Sequence, residues 1–175
     1  MKILVFTEGT VLMQSLAKGV SRKERVRQSK SAAIQRIIPF KATRGSVYDF
    51  ENYIQVGNAV EKLKSWKQQG AEIIYLTSRR IKSEIETIKK ILSKNNFPDW
   101  QNLYFRKQGE NYKDIAERLV PDILIEDDCE SIGGEKEMVY PHIKEELKSK
   151  IKSVVINEFE GIDNLPSNIS LFRNK

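Results

Sequence analysis

Histidine and cysteine are nearly missing from this chain of 175 residues: His142 is the only histidine and Cys129 the only cysteine. A lone cysteine can form no internal disulfide, which excludes a disulfide-stapled scaffold and predicts a reducing compartment. With no histidine near it in sequence, Cys129 has no base to make it a nucleophile and reads as a small buried filler. His142, within Tyr-Pro-His-Ile, reads as a packing or capping residue. No stretch approaches the roughly 18 uninterrupted apolar residues of a membrane helix. The apolar start is too short, and lacks the small-residue cleavage site, for a signal peptide. A cytosolic (cytoplasmic) chain is therefore expected. Gly133-Gly134 is not followed by Lys-Ser/Thr, so it reads as a flexible turn and not a phosphate loop. No internal repeat or low-complexity tract is present.

What is there suits one soluble α/β domain. Hydrophobic residues make up 39% and charged residues 31%, and the length serves one core, giving a single domain over 1–175. Five runs read as strands, at 2–6, 73–77, 103–105, 122–126 and 153–157. Most are continuously apolar, as expected where both faces of a parallel sheet are covered. Helical spacing appears at 58–69, 80–94, 112–119 and 143–151. Strands alternating with single helices predict a Rossmann-like, five-stranded parallel sheet with flanking helices. The stretch 12–56 after the first strand is too long for a simple connection and reads as a small insertion. Ser21 followed by Glu24 has capping-box spacing and predicts a short basic helix there.

The net charge of +6 is concentrated in that insertion. Residues 18–45 hold nine Lys and Arg against Glu24 alone, a charge of +8, which leaves −2 for the remainder. Such a segment suggests a local anionic partner, RNA or DNA first, or else a solvated helical face. Interleaved aromatics are lacking, with only Phe40 and Tyr48 near enough to stack on bases.

Ligands of open parallel sheets bind outside the carboxyl ends of the strands. Those ends supply Thr7, Glu8 and Thr10, then Thr77, Ser78 and Arg79, then Glu126, Asp127 and Asp128, with Lys113 opening the helix before the last group. Hydroxyls, cations and clustered acids on one edge are what a phosphate and a divalent ion require. Three adjacent acids repel one another, and a bound cation is the usual relief; a solvated acidic turn is the plainer reading. Thr77 and Ser78 also read as an N-cap of the following helix, Glu8 as a turn acid, and Lys113 as a surface lysine.

The segments Phe-Thr-Glu-Gly-Thr (6–10), Ile-Ile-Tyr-Leu-Thr-Ser-Arg (73–79) and Pro-Asp-Ile-Leu-Ile-Glu-Asp-Asp (121–128) resemble the motifs of the haloacid dehalogenase (HAD) superfamily, in the order of its nucleotidase-like branch. The resemblance covers most of the chain outside the insertion, which occupies the place of a cap. It implies a HAD-like phosphatase (hydrolase) fold that binds Mg²⁺ and a small phosphorylated, nucleotide-like ligand. It also implies a role for each matching residue. Glu8 is the general acid/base, Thr10 the turn residue, Thr77 with Ser78 the phosphate-binding group and Lys113 the charge-neutralising lysine. Asp127 and Asp128 are the metal ligands, with Glu126 as their alternative. The nucleophilic aspartate of the family falls on Phe6, which can neither attack phosphorus nor bind a metal, so the resemblance implies a degenerate active site. A metal-activated water would then be the nucleophile of any hydrolysis. The rival reading is a non-catalytic nucleic-acid or anion-binding module that uses residues 18–45.

Overall fold

Ile3, Leu4 and Val5 have no solvent exposure, because their strand, β1 (Lys2–Phe6), lies at the centre of the sheet. The computed structural model describes residues 1–34 and 42–172. Strand β1 pairs in parallel with β4 (Glu72–Leu76) on one side and β6 (Ile123–Asp127) on the other. Beyond them lie β5 (Leu103–Tyr104) and β7 (Lys152–Ile156), so the order is β5-β4-β1-β6-β7 with every neighbouring pair parallel. Two short strands, β2 (Leu12–Met13) and β3 (Ile54–Gln55), pair antiparallel where the insertion leaves and rejoins the domain. Both stems of the excursion are thereby pinned beside the end of β1.

Alternate residues of a strand face opposite sides of the sheet, and the two cores follow that alternation. Ile3, Val5, Ile73 and Tyr75 pack on one face with Leu63 and Trp66 of α2 (Ala59–Gln68) and Ile88 and Leu92 of α3 (Lys82–Lys94). The indole of Trp66 is wholly buried and donates to the Pro166 carbonyl at 2.9 Å, which satisfies its one polar atom. Leu4, Ile74, Leu76 and Leu124 face the other way, against Ile115 and Ala116 of α4 (Tyr112–Leu119) and the segment holding Val139, Ile143 and Ile151. Helix α4 opens with a complete capping box of Asn111 and Asp114.

Strand positions match the sequence expectations to within a residue or so at each end. The helix expected over 143–151 is the main departure. Only Glu145–Lys148 is helical (α5), preceded by a 3₁₀ turn at Tyr140–His142. Ile143 and Lys144 are extended, with ψ of 143° and 137°, so Ile143 and Ile151 reach the core from outside the helix. The basic helix does form, as α1 (Arg22–Ile34). Its capping box is half made: the Glu24 amide donates to Ser21 Oγ at 3.3 Å, while the Glu24 carboxylate turns to Arg27. Arg36, Phe40 and Lys41 of the basic segment lie outside the described residues. Among the described residues no helix is long and apolar enough to cross a membrane.

Candidate functional site

The carboxyl ends of β1, β4 and β6 meet at a cavity of about 440 Å³. Strand β1 delivers Phe6 to its wall, where the ring meets Tyr112 edge-on with centroids 5.4 Å apart. The chain then turns sharply at Gly9, whose φ is +82°. Both that angle and the space demand glycine, since a Cβ here would lie 2.7 Å from Asp127 Oδ2. The turn seats Thr10 Oγ1 2.8 Å from the same oxygen, to which it donates.

Glu8 lines the same cavity, with its carboxylate held in a ring of donors at the ends of β1 and β4. Its carboxylate accepts from Thr77 Oγ1 at 2.6 Å, the Ser78 amide at 3.0 Å, Ser78 Oγ at 3.2 Å and Thr7 Oγ1 at 2.7 Å. Arg79 Nε lies 3.5 Å from Glu8 Oε1. Burial alone would raise the carboxyl's pKa, but the Arg79 guanidinium and the bonds from Thr77, Ser78 and Thr7 overcome it and hold Glu8 below its ordinary value. The structure thus brings Glu8, Thr77 and Ser78 together, with Thr77 itself buried beneath Glu8.

Asp127 and Asp128 stand at the end of β6, and their third neighbour is Glu158, just past β7. One carboxylate oxygen from each lies within 4.8 Å of the others. Asp127 is buried; burial first, then the nearby charges of Asp128 and Glu126, push its carboxyl up to about 6. Glu158 is pushed up to about 7, chiefly by burial and further by Asp127, although Ser131 donates to it from both Oγ (2.6 Å) and its amide (2.7 Å). Glu126 is not part of this group. It is the residue before Asp127 on the same strand, so it faces the opposite side of the sheet and accepts from the Val139 and Tyr140 amides at 2.6 and 2.9 Å. Burial raises its pKa as well.

Lys113 lines a neighbouring cavity of about 300 Å³ with Lys136 and His142, and not the one that Asp127 lines. Its ammonium lies 3.3 Å from Asp114 and 3.9 Å from Glu117 on its own helix. The cations that line the Asp127 cavity are instead Arg79, Arg80 and Arg106. The Arg106 guanidinium stacks 3.7 Å over the Tyr112 ring, and its Nε is buried with no hydrogen-bond partner. Neither Arg106 nor Glu158 stands out in sequence, yet both follow the outer strands β5 and β7. The strand-end rule, extended to all five strands, finds them.

The insertion closes over the acidic side of the cavity. Arg22 Nη2, at the start of α1, lies 3.0 Å from Asp128 Oδ2 and 2.8 Å from Glu130 Oε2. Arg25 donates to the Phe159 carbonyl at 2.7 Å, and Lys30 reaches Glu130 at 3.5 Å. Several of its cations are therefore engaged with the chain's own acidic edge. Cys129 follows Asp128 in the left-handed region (φ 50°), and burial pushes its thiol well up, so it is no thiolate nucleophile at neutral pH.

No family model matches the sequence, and no curated protein is significantly similar to it. Among solved structures, the chain is similar to the class C acid phosphatase of Bacillus anthracis with tungstate bound: 15% identity, a TM-score of 0.56, covering 91% of this chain and 68% of that one. A second structure of that phosphatase gives 14% identity and a TM-score of 0.58 over 91% and 67% of the two chains. Identity this low speaks to fold alone: the five-stranded parallel sheet with its flanking helices is an arrangement this chain shares with those phosphatase structures.

Proposed function

We propose that this chain binds a divalent cation and a small phosphate-bearing ligand in the Asp127 cavity, without the aspartyl-phosphate route of hydrolysis. The observation that carries the reading is the lining of one cavity by the buried carboxylates of Asp127 and Glu158 and the guanidinium groups of Arg79 and Arg106, with the Phe6 ring at the strand end. An aromatic carbon has no lone pair with which to attack phosphorus, so position 6 supplies no covalent step.

The donor set suits a hard cation, because clustered carboxylate oxygens are what Mg²⁺, Mn²⁺ and Ca²⁺ take. Asp127, Asp128 and Glu158 would hold the ion, which when bound would neutralise phosphoryl charge. Thr10 orients Asp127, and Ser131 orients Glu158, each through a hydroxyl donated to the carboxylate. Arg106 lines the same cavity and would bring a guanidinium charge to a phosphoryl group there. A nucleic-acid surface on the insertion has less support, because Arg22, Arg25, Arg27 and Lys30 each have a partner within the chain.

Thermal unfolding with Mg²⁺ or Mn²⁺ tests the cation. Saturating ion at about 100 times its Kd stabilises the folded state by about 2.7 kcal/mol. Asp127→Asn is expected to abolish that gain. Glu126→Gln is expected to keep it, while lowering basal stability by about 1–3 kcal/mol, since its amide would set a donor against a buried N–H. Equal responses from the two variants, or none from the unaltered chain at millimolar ion, would overturn the reading.

A further inference from the structure

The hydroxyls of Thr77 and Ser78 and the Ser78 amide, at the end of β4, all donate to Glu8, and the Arg79 guanidinium backs them by donating to Ser78 Oγ. Thr77 Oγ1, the Ser78 amide, Ser78 Oγ and Arg79 Nε surround its two carboxylate oxygens at 2.6 to 3.5 Å. Two hydroxyls, a backbone N–H and a guanidinium are also the set that a tetrahedral oxyanion requires. A carboxylate offers that ring two anionic oxygens, as one edge of a phosphoryl group would. Side-chain length makes this contact available: an aspartate at position 8 would fall short by about one carbon–carbon bond, about 1.5 Å.

We infer that Glu8 is an internal occupant of an oxyanion cradle, and that a ligand's phosphate enters this cradle only by displacing the Glu8 carboxylate. This deepens, and rests on, the reading that the cavity takes a phosphate-bearing ligand. The two anions exclude each other, because they would share the same donors and repel across the same space. Thr77 Oγ1 is buried and gives its proton to Glu8, so a cradle without Glu8 holds an unpaired hydroxyl and an unpaired amide that an anion would satisfy. Glu8 itself lines the cavity, so the way out for its carboxylate is the space through which the ligand arrives. Affinity is then set by how seldom the cradle stands open. If Glu8 leaves it in about one molecule in ten, the apparent Kd for the oxyanion is about tenfold weaker than the intrinsic one.

The test is calorimetric titration of inorganic phosphate, with Mg²⁺ present, into the full chain and into Glu8→Ala, Glu8→Gln and Arg106→Ala variants. Glu8→Ala is expected to bind phosphate at least about tenfold more tightly than the unaltered chain. Adding Thr77→Val and Ser78→Ala to it is expected to remove the gain. Glu8→Gln keeps the shape of the side chain without its charge and is expected to fall between, so it carries the test should Glu8→Ala fail to fold. Equal phosphate affinity in the unaltered and Glu8 variants, lost in Arg106→Ala, would overturn the displaced carboxylate and leave the cavity a phosphate site. Absence of binding in every variant would overturn both.

Discussion

Phe6→Asp combined with Glu8→Asp is expected to convert this chain into a Mg²⁺-dependent phosphatase, with turnover of p-nitrophenyl phosphate raised at least about 10³-fold over the unaltered protein. Phe6 ends β1 beside Leu76 of β4 and lines the cavity that Asp127 lines. A carboxylate at that position supplies both a nucleophile for phosphorus and a further oxygen for a cation held at Asp127. The second substitution matters because Glu8 occupies the donors of Thr77 and Ser78; the shorter aspartate withdraws from them. Phe6→Asp alone is therefore expected to gain Mg²⁺ affinity with little turnover. The stability cost includes the edge-on contact with Tyr112, about 0.5–1.5 kcal/mol beyond the loss of burial. A folded double variant with neither turnover nor improved Mg²⁺ binding would show that the edge does not assemble a phosphoryl-transfer site.

Without divalent cations, the protein is expected to lose stability as pH rises from about 5 to 8, the reverse of ordinary salt-bridged carboxylates. Burial raises Asp127 from 3.8 to about 6 and Glu158 from 4.5 to about 7, and it raises Glu126 in the same direction. The folded state then holds more protons than the unfolded chain across this window, so each increment of pH favours unfolding. A shift of about two units is worth about 3 kcal/mol, and because Asp127 and Glu158 share one repulsion their effects do not add. Glu8 acts the other way: its depressed pKa stabilises the fold above about 4.5, the unfolded value, and that contribution disappears as pH falls through the folded one. Urea unfolding at pH 5, 6, 7 and 8 is expected to show a falling midpoint, made shallower by Asp127→Asn and nearly flat with saturating Mg²⁺. A midpoint that rises over this range would mean that Asp127 and Glu158 are already neutralised, by Arg22 or otherwise.

The strands were legible because a fully covered parallel strand must be apolar on both sides, and Lys2–Phe6 and Ile123–Asp127 announce that directly. The segment 143–151 misleads for a related reason. Ile143, Leu147 and Ile151 recur at helical spacing, but buried residues flanking a turn satisfy the same spacing without a helix through all of them. Glu126, Asp127 and Asp128 are one acidic run in sequence and two environments in space, because neighbours on a strand point to opposite faces. The charge of the basic insertion was legible in the sequence but its pairing was not, because Arg22 and Lys30 meet Asp128 and Glu130, about a hundred residues away.

The sequence by itself determined the layered α/β architecture and the gathering of hydroxyl, cationic and acidic residues at the carboxyl ends of its strands. These depend on residue type and local period, which are written along the chain. Only the tertiary structure decided that Glu158 completes the acidic group, that Arg79 and Arg106 rather than Lys113 line the Asp127 cavity, and that Glu8 occupies the donors of Thr77 and Ser78. Each of those depends on which strand ends lie side by side and on the direction in which a side chain leaves them. Strand order and side-chain direction follow from packing of the whole sheet, and no local pattern carries them.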